Sequence, residues 1–278
     1  MSSPQEMIIK MKDFDSNTDV IYRDPRVNAR GGKNVSIVTG AGQKLVLQVP
    51  LTMTWGANEM VDETSGRRSY NINFQLDRTS TTYKVMKSFE DKVIADAAIN
   101  SKKWFGQGNM SEEVIKALFY PVLKYPKDKS SGEIDYERDP TIKVKLPYWD
   151  ERFTMELYDM ESNLIFNKDN QPEDFDIMTE LPSKSHVACL IECGGVWFAA
   201  GRCGVTWKFI QGKRRKPVKL EGFCMLDDSD EEEVVDTIEE NEQAESNTKQ
   251  ETTENVIEEE TPKKKKAAKK RVVKKATE

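Results

Sequence analysis

Aromatic and cationic residues alternate at four places in the chain. Cations can neutralise phosphates while aromatic faces stack on unpaired bases, so this combination suits binding to single-stranded nucleic acid. We therefore predict nucleic-acid contacts in all four stretches. They comprise Arg67, Arg68 and Tyr70; Lys102, Lys103 and Trp104; Lys143, Lys145, Tyr148, Trp149 and Arg152; and Lys208 with Lys213, Arg214, Arg215 and Lys216.

Each of these stretches also has an ordinary structural interpretation. Trp207 shares a strand face with apolar neighbours, which favours a core position. Lys143 and Lys145 fit the wet face of an antiparallel sheet, and Trp104 fits a ring closing a helix pair. The run 213–216 is harder to explain this way, because four successive cations on a turn repel one another unless a polyanion or solvent relieves them.

The sequence offers little for catalysis or metal binding. His186 is the single histidine, and it precedes a predicted strand, where a lone histidine is usually structural. Together with Cys189, Cys193 and Cys203 it could supply four zinc ligands, but alternating strand positions would not converge on one ion. We predict buried, reduced thiols, no metal and no cofactor.

Acidic clusters and glycines do not change that conclusion. Asp13 with Asp15, and the cluster at 173–176, lie in polar, loop-like sequence, whereas two-metal nucleases need carboxylates on a rigid frame. The glycines near Lys44 lack the spacing of a phosphate-binding loop. The chain is therefore predicted not to be an enzyme.

Charge is strongly segregated along the 278 residues. Residues 227–260 hold sixteen acidic residues and one lysine, whereas 261–278 hold nine basic residues and one glutamate. That leaves 32 basic and 31 acidic residues in 1–226, a nearly neutral body. Segments so poor in apolar residues cannot bury enough surface to fold, so both ends of the tail are predicted to be disordered.

Each part of the tail suggests a role. An acidic tether resembles DNA in charge, so it can occupy the cationic surface of its own body and can dock replication proteins such as a polymerase, helicase or primase. The Lys-rich run 263–271 is typical of a nuclear-import signal or a nonspecific DNA-binding arm, and the sequence leaves both open.

Hydrophobic periodicity predicts the elements of the body. Residues 1–30 are polar and are predicted to form a flexible arm, which leaves 31–226 as the binding core. Strict alternation predicts strands over 44–55 and 70–76, joined by a long turn over 57–69.

The period then changes to that of helices. Apolar spacing from Met86 to Ala97 predicts one amphipathic helix, and Ser111 is a good N-cap for a second, with a loop over 102–108 between them. Short strand patterns return at 142–146, 153–157, 187–192, 196–199 and 205–210. We predict a β-rich α+β fold: an OB-like five-stranded barrel or sheet with an inserted helix pair, followed by a disordered tail.

This arrangement resembles the single-stranded-DNA-binding proteins of nucleocytoplasmic large DNA viruses, which are related to a phage-type OB-fold protein. The resemblance spans roughly 45–212 and rests on the segments 100–106, 140–147, 185–191, 196–201 and 205–211. It implies an OB-type barrel and sequence-independent DNA binding in viral replication, recombination or repair. It also implies an acidic tail that tunes affinity and contacts partners.

The expected protein is thus a nonenzymatic single-strand binder working in the host nucleus or at a cytoplasmic viral replication site. No apolar stretch suggests a membrane or a secretory leader, and the sequence leaves homo-oligomers open. The alternative is a structural or virion interaction protein whose basic tail serves localisation or packaging.

Overall fold

A computed structural model describes residues 7–29, 31–106, 108–218 and 222–225. The chain divides into two units, Met1–Gly222 and Phe223–Glu278. Every element below belongs to the first unit. The predicted acidic and Lys-rich segments, 227–260 and 261–278, lie outside the described residues.

Strands dominate the described part of the first unit. In chain order they are β1 (Ile8–Lys10), β2 (Ile21–Tyr22), β3 (Arg26–Val27), β4 (Lys33–Val35), β5 (Ile37–Val38), β6 (Val46–Val61), β7 (Arg68–Gln75), β8 (Phe119–Tyr120), β9 (Leu123–Lys124), β10 (Thr141–Leu146), β11 (Tyr148–Trp149), β12 (Arg152–Phe153), β13 (Glu156–Tyr158), β14 (Leu164–Phe166), β15 (His186–Ala199) and β16 (Arg202–Arg215). The α-helices are α1 (Ser16–Asp19), α2 (Thr81–Ile99), α3 (Ser101–Phe105), α4 (Glu112–Leu118) and α5 (Ile177–Glu180).

Five long strands pair in a closed cycle. β6 pairs antiparallel with β7, β7 with β10, and β15 with both β16 and β6, while β10 and β16 are parallel. Short strands extend this cycle into a sheet of twelve strands. The β-rich fold is confirmed, but the sheet is larger than the five strands that were predicted.

The core lies inside this cycle because apolar residues occupy alternate positions on each strand. On β10, Ile142, Val144 and Leu146 are buried, and on β16 the rings of Trp207 and Phe209 are buried. The interpretation of Trp207 as a core residue is confirmed. Cys189, Cys193 and Cys203 also point inward, and burial raises the pKa of each thiol, so these cysteines contribute packing and little nucleophilicity.

The hairpin of β6 and β7 is longer than the sequence indicates. The predicted turn over 57–69 is wrong in extent, because β6 continues to Val61 and the pairing runs to Val61 opposite Arg68. A bulge at Gly56 interrupts the register, and its positive φ lets the backbone pass close to Leu181 and Ser183. After the bulge the strand continues on a shifted register. Because of this shift, the apolar pattern of the sequence does not show that the strand extends to Val61.

The prediction of a flexible arm over 1–30 is wrong for its described part. β1 pairs in parallel with β6, and Met11, Phe14 and Val20 are buried in the core. Three well-spaced apolar residues are enough to anchor this otherwise polar segment to the core.

The helical insertion lies between β7 and β10 and contains three helices where two were predicted. Ser80 and Ser111 cap α2 and α4 by accepting hydrogen bonds from backbone N–H groups, which confirms both predicted helices. The predicted loop 102–108 is helical over its first part, because α3 continues to Phe105 and ends at Gly106 in the left-handed region.

Two predicted strands near the C-terminal end of the body merge into one. β15 runs through 186–199 with a bulge at Gly194 and Gly195. A side chain at Gly195 would meet the Val35 carbonyl at 2.4 Å, so glycine lets β4 approach there. Within the described part of the chain, no helix combines the length and apolarity needed to cross a bilayer.

Candidate nucleic-acid interface

The outer face of β10 carries lysines because its inner face carries the core. Lys143 and Lys145 alternate with buried apolar residues and therefore point outward. Lys145 lies opposite Asn71 on β7 and beside Lys208 on β16, so three strands place polar side chains at one level of the sheet. The prediction that these lysines occupy an outward face is confirmed.

The parallel pair of β10 and β16 is short, and a separate segment fills the gap where the two strands diverge. The strands are in register only at Val144–Trp207 and Lys145–Lys208. Before that point β10 pairs with β9 and β16 pairs with β8. Residues 119–124, called the bridging segment here, thus join the two edges.

The bridging segment is held by a buried carboxylate on α2. Glu90 accepts hydrogen bonds from the backbone N–H groups of Val122 at 2.5 Å and Leu123 at 3.2 Å. Burial raises the pKa of Glu90, and these two hydrogen bonds oppose the rise. The helical insertion therefore fixes one wall of the site.

A cleft of about 340 Å³ opens between the bridging segment and the outer face of the sheet. Lys124, Lys143 and Lys145 line it, and no carboxylate is among its described lining residues. The Nζ of Lys124 lies 4.5 Å from the ring centroid of Tyr120 and donates to its hydroxyl. That hydrogen bond, with the charges of Lys124 and Lys143, lowers the pKa of Tyr120. The cleft is thus electropositive.

Two of the four aromatic residues that line the cleft, Tyr120 and Trp197, are at least partly exposed. Tyr120 is 42% exposed, and its ring centroid lies 6.2 Å from that of the half-buried Trp197. Trp197 lies opposite Gly204, where an added Cβ would be 2.8 Å from the indole and 3.0 Å from the Cβ of Tyr120. The absence of a side chain at Gly204 therefore lets both rings sit close to the strand.

Positive charge continues from the cleft across β16. Partial desolvation lowers the pKa of Lys145, and the charges of Arg67 and Lys208 lower it further. Lys208 also lines a second cleft, with Arg23, Arg26 and Lys44. Glu192 is the one acidic residue among the described residues that line this second cleft, and its carboxylate lies 2.9 Å from the Nζ of Lys44.

The cations that line the two clefts or act on Lys145 between them are called the cationic trough. Lys44 is left out of this set because Glu192 neutralises it. A polyanion bound along the trough would relieve the repulsion that acts on Lys145. The trough consists of Arg23, Arg26, Arg67, Lys124, Lys143, Lys145 and Lys208.

Two buried polar atoms at the first cleft have no hydrogen-bond partner. They are the Oδ1 of Asn71 and the Nε1 of Trp207, and both residues line the cleft. The Nδ2 of Asn71 is 3.5 Å from the Asn58 carbonyl oxygen, which leaves the Oδ1 without a donor. An unsatisfied buried acceptor or donor is costly. Asn71 pairs with the outward Lys145 and Trp207 with the inward Val144, so the two side chains lie on opposite faces of the sheet.

Four of the predicted binding residues lie on the trough: Arg67, Lys143, Lys145 and Lys208. Others lie elsewhere. Arg68 is 3.5 Å from Glu59, which also accepts a hydrogen bond from the Tyr70 hydroxyl. The ring of Tyr70 is buried, so the expectation that it offers an open face to a base is wrong in this structure.

The stretch around Trp104 is also corrected. The Trp104 ring is 2% exposed and packs edge-on against Tyr22, with centroids 4.8 Å apart, so it cannot stack on a base without unfolding its surroundings. Lys103 forms an ion pair with Asp24, and Lys102 is exposed on α3. The alternative interpretation of Trp104, as a packing residue of the helical insertion, fits the structure.

The stretch at 148–152 forms the small hairpin of β11 and β12. Trp149 is 72% exposed beside Arg152, whereas Tyr148 is half-buried against Tyr70. This hairpin is not part of the trough. The binding role of Trp149 and Arg152 stays a prediction.

The basic run 213–216 is not on a turn as predicted, because β16 continues through Arg215. Successive side chains therefore alternate between faces. Glu180 forms ion pairs with Arg214 and Lys216, and Lys213 donates to Ser162. Arg215 remains exposed. Glu180 offsets one of the four charges, so the repulsion within this run is only partly relieved. The binding role of residues 213–216 stays a prediction.

Sequence reasoning missed several residues of this face: Tyr120, Lys124, Trp197, Asn71, Arg23 and Arg26. Arg23 and Arg26 were assigned to a flexible arm. Tyr120 and Lys124 flank Pro121, after the start of the second predicted helix. An aromatic–basic pair does occur at 120–124, and this was the available signal.

Among residues 7–29, 31–106, 108–218 and 222–225, no three His, Cys, Asp or Glu side chains are placed to hold a metal ion. His186 opens β15 opposite Arg215, at the end of the strand far from the bulge.

Comparisons with known proteins give one family and several distant structures. Residues 59–225 match the model of a family described as a family of unknown function, DUF5871, which is more than half of the chain. No curated protein matches.

Solved structures with detectable similarity include single-stranded-DNA-binding proteins of two bacteriophages. That of phage Enc34 in complex with single-stranded DNA is 13% identical, with a TM-score of 0.42, over 72% of this chain and 98% of the other. Gp2.5 of phage T7 is 14% identical, with a TM-score of 0.36, over 71% and 99%.

Proposed function

We propose that this protein, which belongs to the DUF5871 family of unknown function, binds single-stranded DNA along its cationic trough without strong sequence preference. The observation that carries the proposal is the trough itself. Six of its seven cations line the two clefts, and the seventh, Arg67, acts on Lys145. Beside them lie the accessible rings of Tyr120 and Trp197, and the one carboxylate among the described lining residues is neutralised by Lys44.

The strand arrangement supports this placement. Five strands closing on one another with a Greek-key connection correspond to the OB-type barrel, whose second and third strands present the oligonucleotide-binding face. Here those strands are β7 and β10, which carry Asn71, Lys143 and Lys145. We therefore assign the barrel to the OB type and the trough to its binding face.

Single strands fit this surface better than a duplex. Phosphates can lie along the lysines while unstacked bases lie on the rings of Tyr120 and Trp197. In a duplex the bases are already stacked, so only the phosphates would interact. The protein should therefore prefer a single strand at equal charge.

The direct test measures fluorescence anisotropy of labelled oligo-dT, of a duplex of the same length and of oligo-rU with the full-length protein. Oligo-dT should bind more tightly than the duplex. Equal or tighter duplex binding would overturn the proposal, and tighter oligo-rU binding would reassign the substrate to RNA. A variant with the basic residues of 263–271 changed to Gln should keep the preference. Loss of all binding in that variant would favour the alternative of a protein that binds only through its tail.

We further propose that the acidic segment 227–260 competes with DNA for the trough and docks replication proteins, as in a viral replication or repair role. It carries sixteen acidic residues on the same chain as the trough, so its effective concentration is high. Deleting 227–260 should tighten binding to oligo-dT. Unchanged or weaker affinity for oligo-dT would contradict the proposed competition between the acidic segment and DNA.

The proposed location, in the host nucleus or at a cytoplasmic viral replication site, would be tested with a fluorescent fusion in infected cells.

A further inference from the structure

Trp55 is a half-exposed ring on the sheet, outside the two clefts of the trough. It is 50% exposed and lies beside Gly56 in the bulge of β6, where the register with β7 shifts. A bulge re-aims the side chains that it carries. Here the Nε1 of Trp55 donates a hydrogen bond to the Oε1 of Gln75 at 2.8 Å. Gln75 follows the buried Phe74 on β7 and points outward, so the indole is attached to the outer face of the sheet.

The partner of the indole is itself held in place. The Nε2 of Gln75 donates to the backbone carbonyls of Asp139 at 3.0 Å and Pro140 at 3.2 Å. The N–H is the single polar group of an indole, and in Trp55 it is satisfied by this anchored amide. The exposed part of the ring is therefore apolar surface in a fixed position, and a ligand that stacks on it loses little affinity to ordering of the side chain.

A third cleft, of about 620 Å³, opens beside this ring and shares Lys124 with the first cleft. Thr141 lines it and pairs with Gln75 on β7 and with Lys124 on β9. Thr141 lies on the outer face of β10, as do Lys143 and Lys145. The same outer face thus connects the third cleft to the trough, over about 14 Å from Thr141 to Lys145 at about 3.4 Å per residue.

The charge of the third cleft differs from that of the trough. Among the described residues that line it, the cations are Lys124 and Arg138 and the carboxylates are Glu137 and Asp139, so the formal charges cancel. A cleft without net charge does little to attract a phosphate. A base is uncharged and gains its affinity from an aromatic face, so this surroundings suits a base better than the backbone of the strand.

We propose that the bound strand continues past Lys124 into the third cleft, where one base stacks on Trp55. The inference rests on the proposed binding of single-stranded DNA and extends the contact surface beyond the trough. Lys124, which both clefts share, would neutralise the phosphate between the base on Trp55 and the base on Tyr120. Because every base has a π face, this position would not depend on sequence.

The extension should appear in the dependence of affinity on oligomer length. Anisotropy is measured with labelled oligo-dT of about 4 to about 16 nucleotides, the range of site sizes of OB folds, and with full-length wild type, Trp55→Ala and Trp55→Phe. Affinity of wild type should rise until the oligomer spans the trough and the third cleft. Trp55→Ala should stop gaining affinity at a shorter length and should bind the longest oligomers about fivefold or more weakly than wild type does. Trp55→Phe keeps a ring face and should retain most of the gain.

Two further measurements separate stacking from a structural effect. Ile99→Ala is the control, because Ile99 is an exposed apolar residue of α2 that lines none of the three clefts, and it should follow wild type at every length. Stacking on Trp55 would quench its fluorescence. Saturating long oligo-dT should therefore quench the tryptophan emission of wild type more than that of Trp55→Phe.

The two proposals fail in different ways. Equal affinities of wild type and folded Trp55→Ala at every length, or the same loss at every length, would overturn the extension and leave the proposed function intact. No binding of any oligomer by wild type would overturn the proposed function itself. Urea unfolding would establish that each variant is folded.

Discussion

The charge of the trough leads to a quantitative expectation for salt dependence. Each cation that neutralises a phosphate of a single strand contributes about −0.7 to the slope of log Kobs against log salt concentration. Replacing Lys143, Lys145 and Lys208 together by Gln should therefore make the slope shallower by about 2. Raising salt from about 50 to about 200 mM should then weaken the triple variant roughly 20-fold less than it weakens wild type.

The assay is anisotropy with oligo-dT at several NaCl concentrations, using the full-length chain so that any contribution of the tail is common to all variants. Lys116, Lys129 and Lys168 are exposed away from the trough, and their triple replacement by Gln is the matched control. The control should keep the wild-type slope. If the trough variant kept it too, or if both triples changed it equally, the phosphates would not follow the trough.

Three further expectations concern individual side chains. Tyr120→Ala should weaken binding to oligo-dT by about 1–3 kcal/mol if its ring stacks on a base, with little change in salt slope, whereas normal affinity in a folded variant would exclude stacking there. Trp104→Ala should lower the free energy of unfolding by about 3–5 kcal/mol in urea titrations, because the ring of Trp104 is buried. Trp149→Ala should change the free energy of unfolding by less than about 0.5 kcal/mol, because Trp149 lies on the surface. A larger loss for Trp149→Ala than for Trp104→Ala would contradict this assignment of core and surface. The raised pKa of Glu90 means that the folded protein holds this proton to higher pH than the unfolded chain, so its ionisation lowers stability as pH rises from about 4.3 through the folded pKa. Glu90→Gln should gain stability relative to wild type over that window, and a pH-independent difference in urea unfolding would refute the cause.

Local patterns were sufficient to predict much of the fold. Alternation located β10 and β16, apolar spacing located α2, and the N-cap residue Ser111 located the start of α4. These signals work because burial of one face and satisfaction of helix N–H groups are local requirements. The bulges at Gly56 and at Gly194–Gly195 were not predicted, since they depend on the approach of other strands.

The candidate site was only partly predictable for a related reason. Lys143 and Lys145 follow from alternation on one strand, but their proximity to Arg67 and Lys208 depends on how the sheet closes. Trp104 and Trp149 carry similar sequence contexts, with neighbouring cations, yet one is buried and the other is exposed. Charge and aromaticity identify the type of chemistry, and only tertiary packing decides which rings are available for it.

The attachment of the bridging segment to Glu90 has a consequence for engineering. A minimal barrel obtained by excising the helical insertion would lose Tyr120 and Lys124 as well as the anchor that holds them. Grafting the face of β7 and β10 onto another scaffold would likewise transfer half of a cleft. The cleft needs residues from both the helical insertion and the sheet. Shortened versions of this protein should therefore retain the three helices.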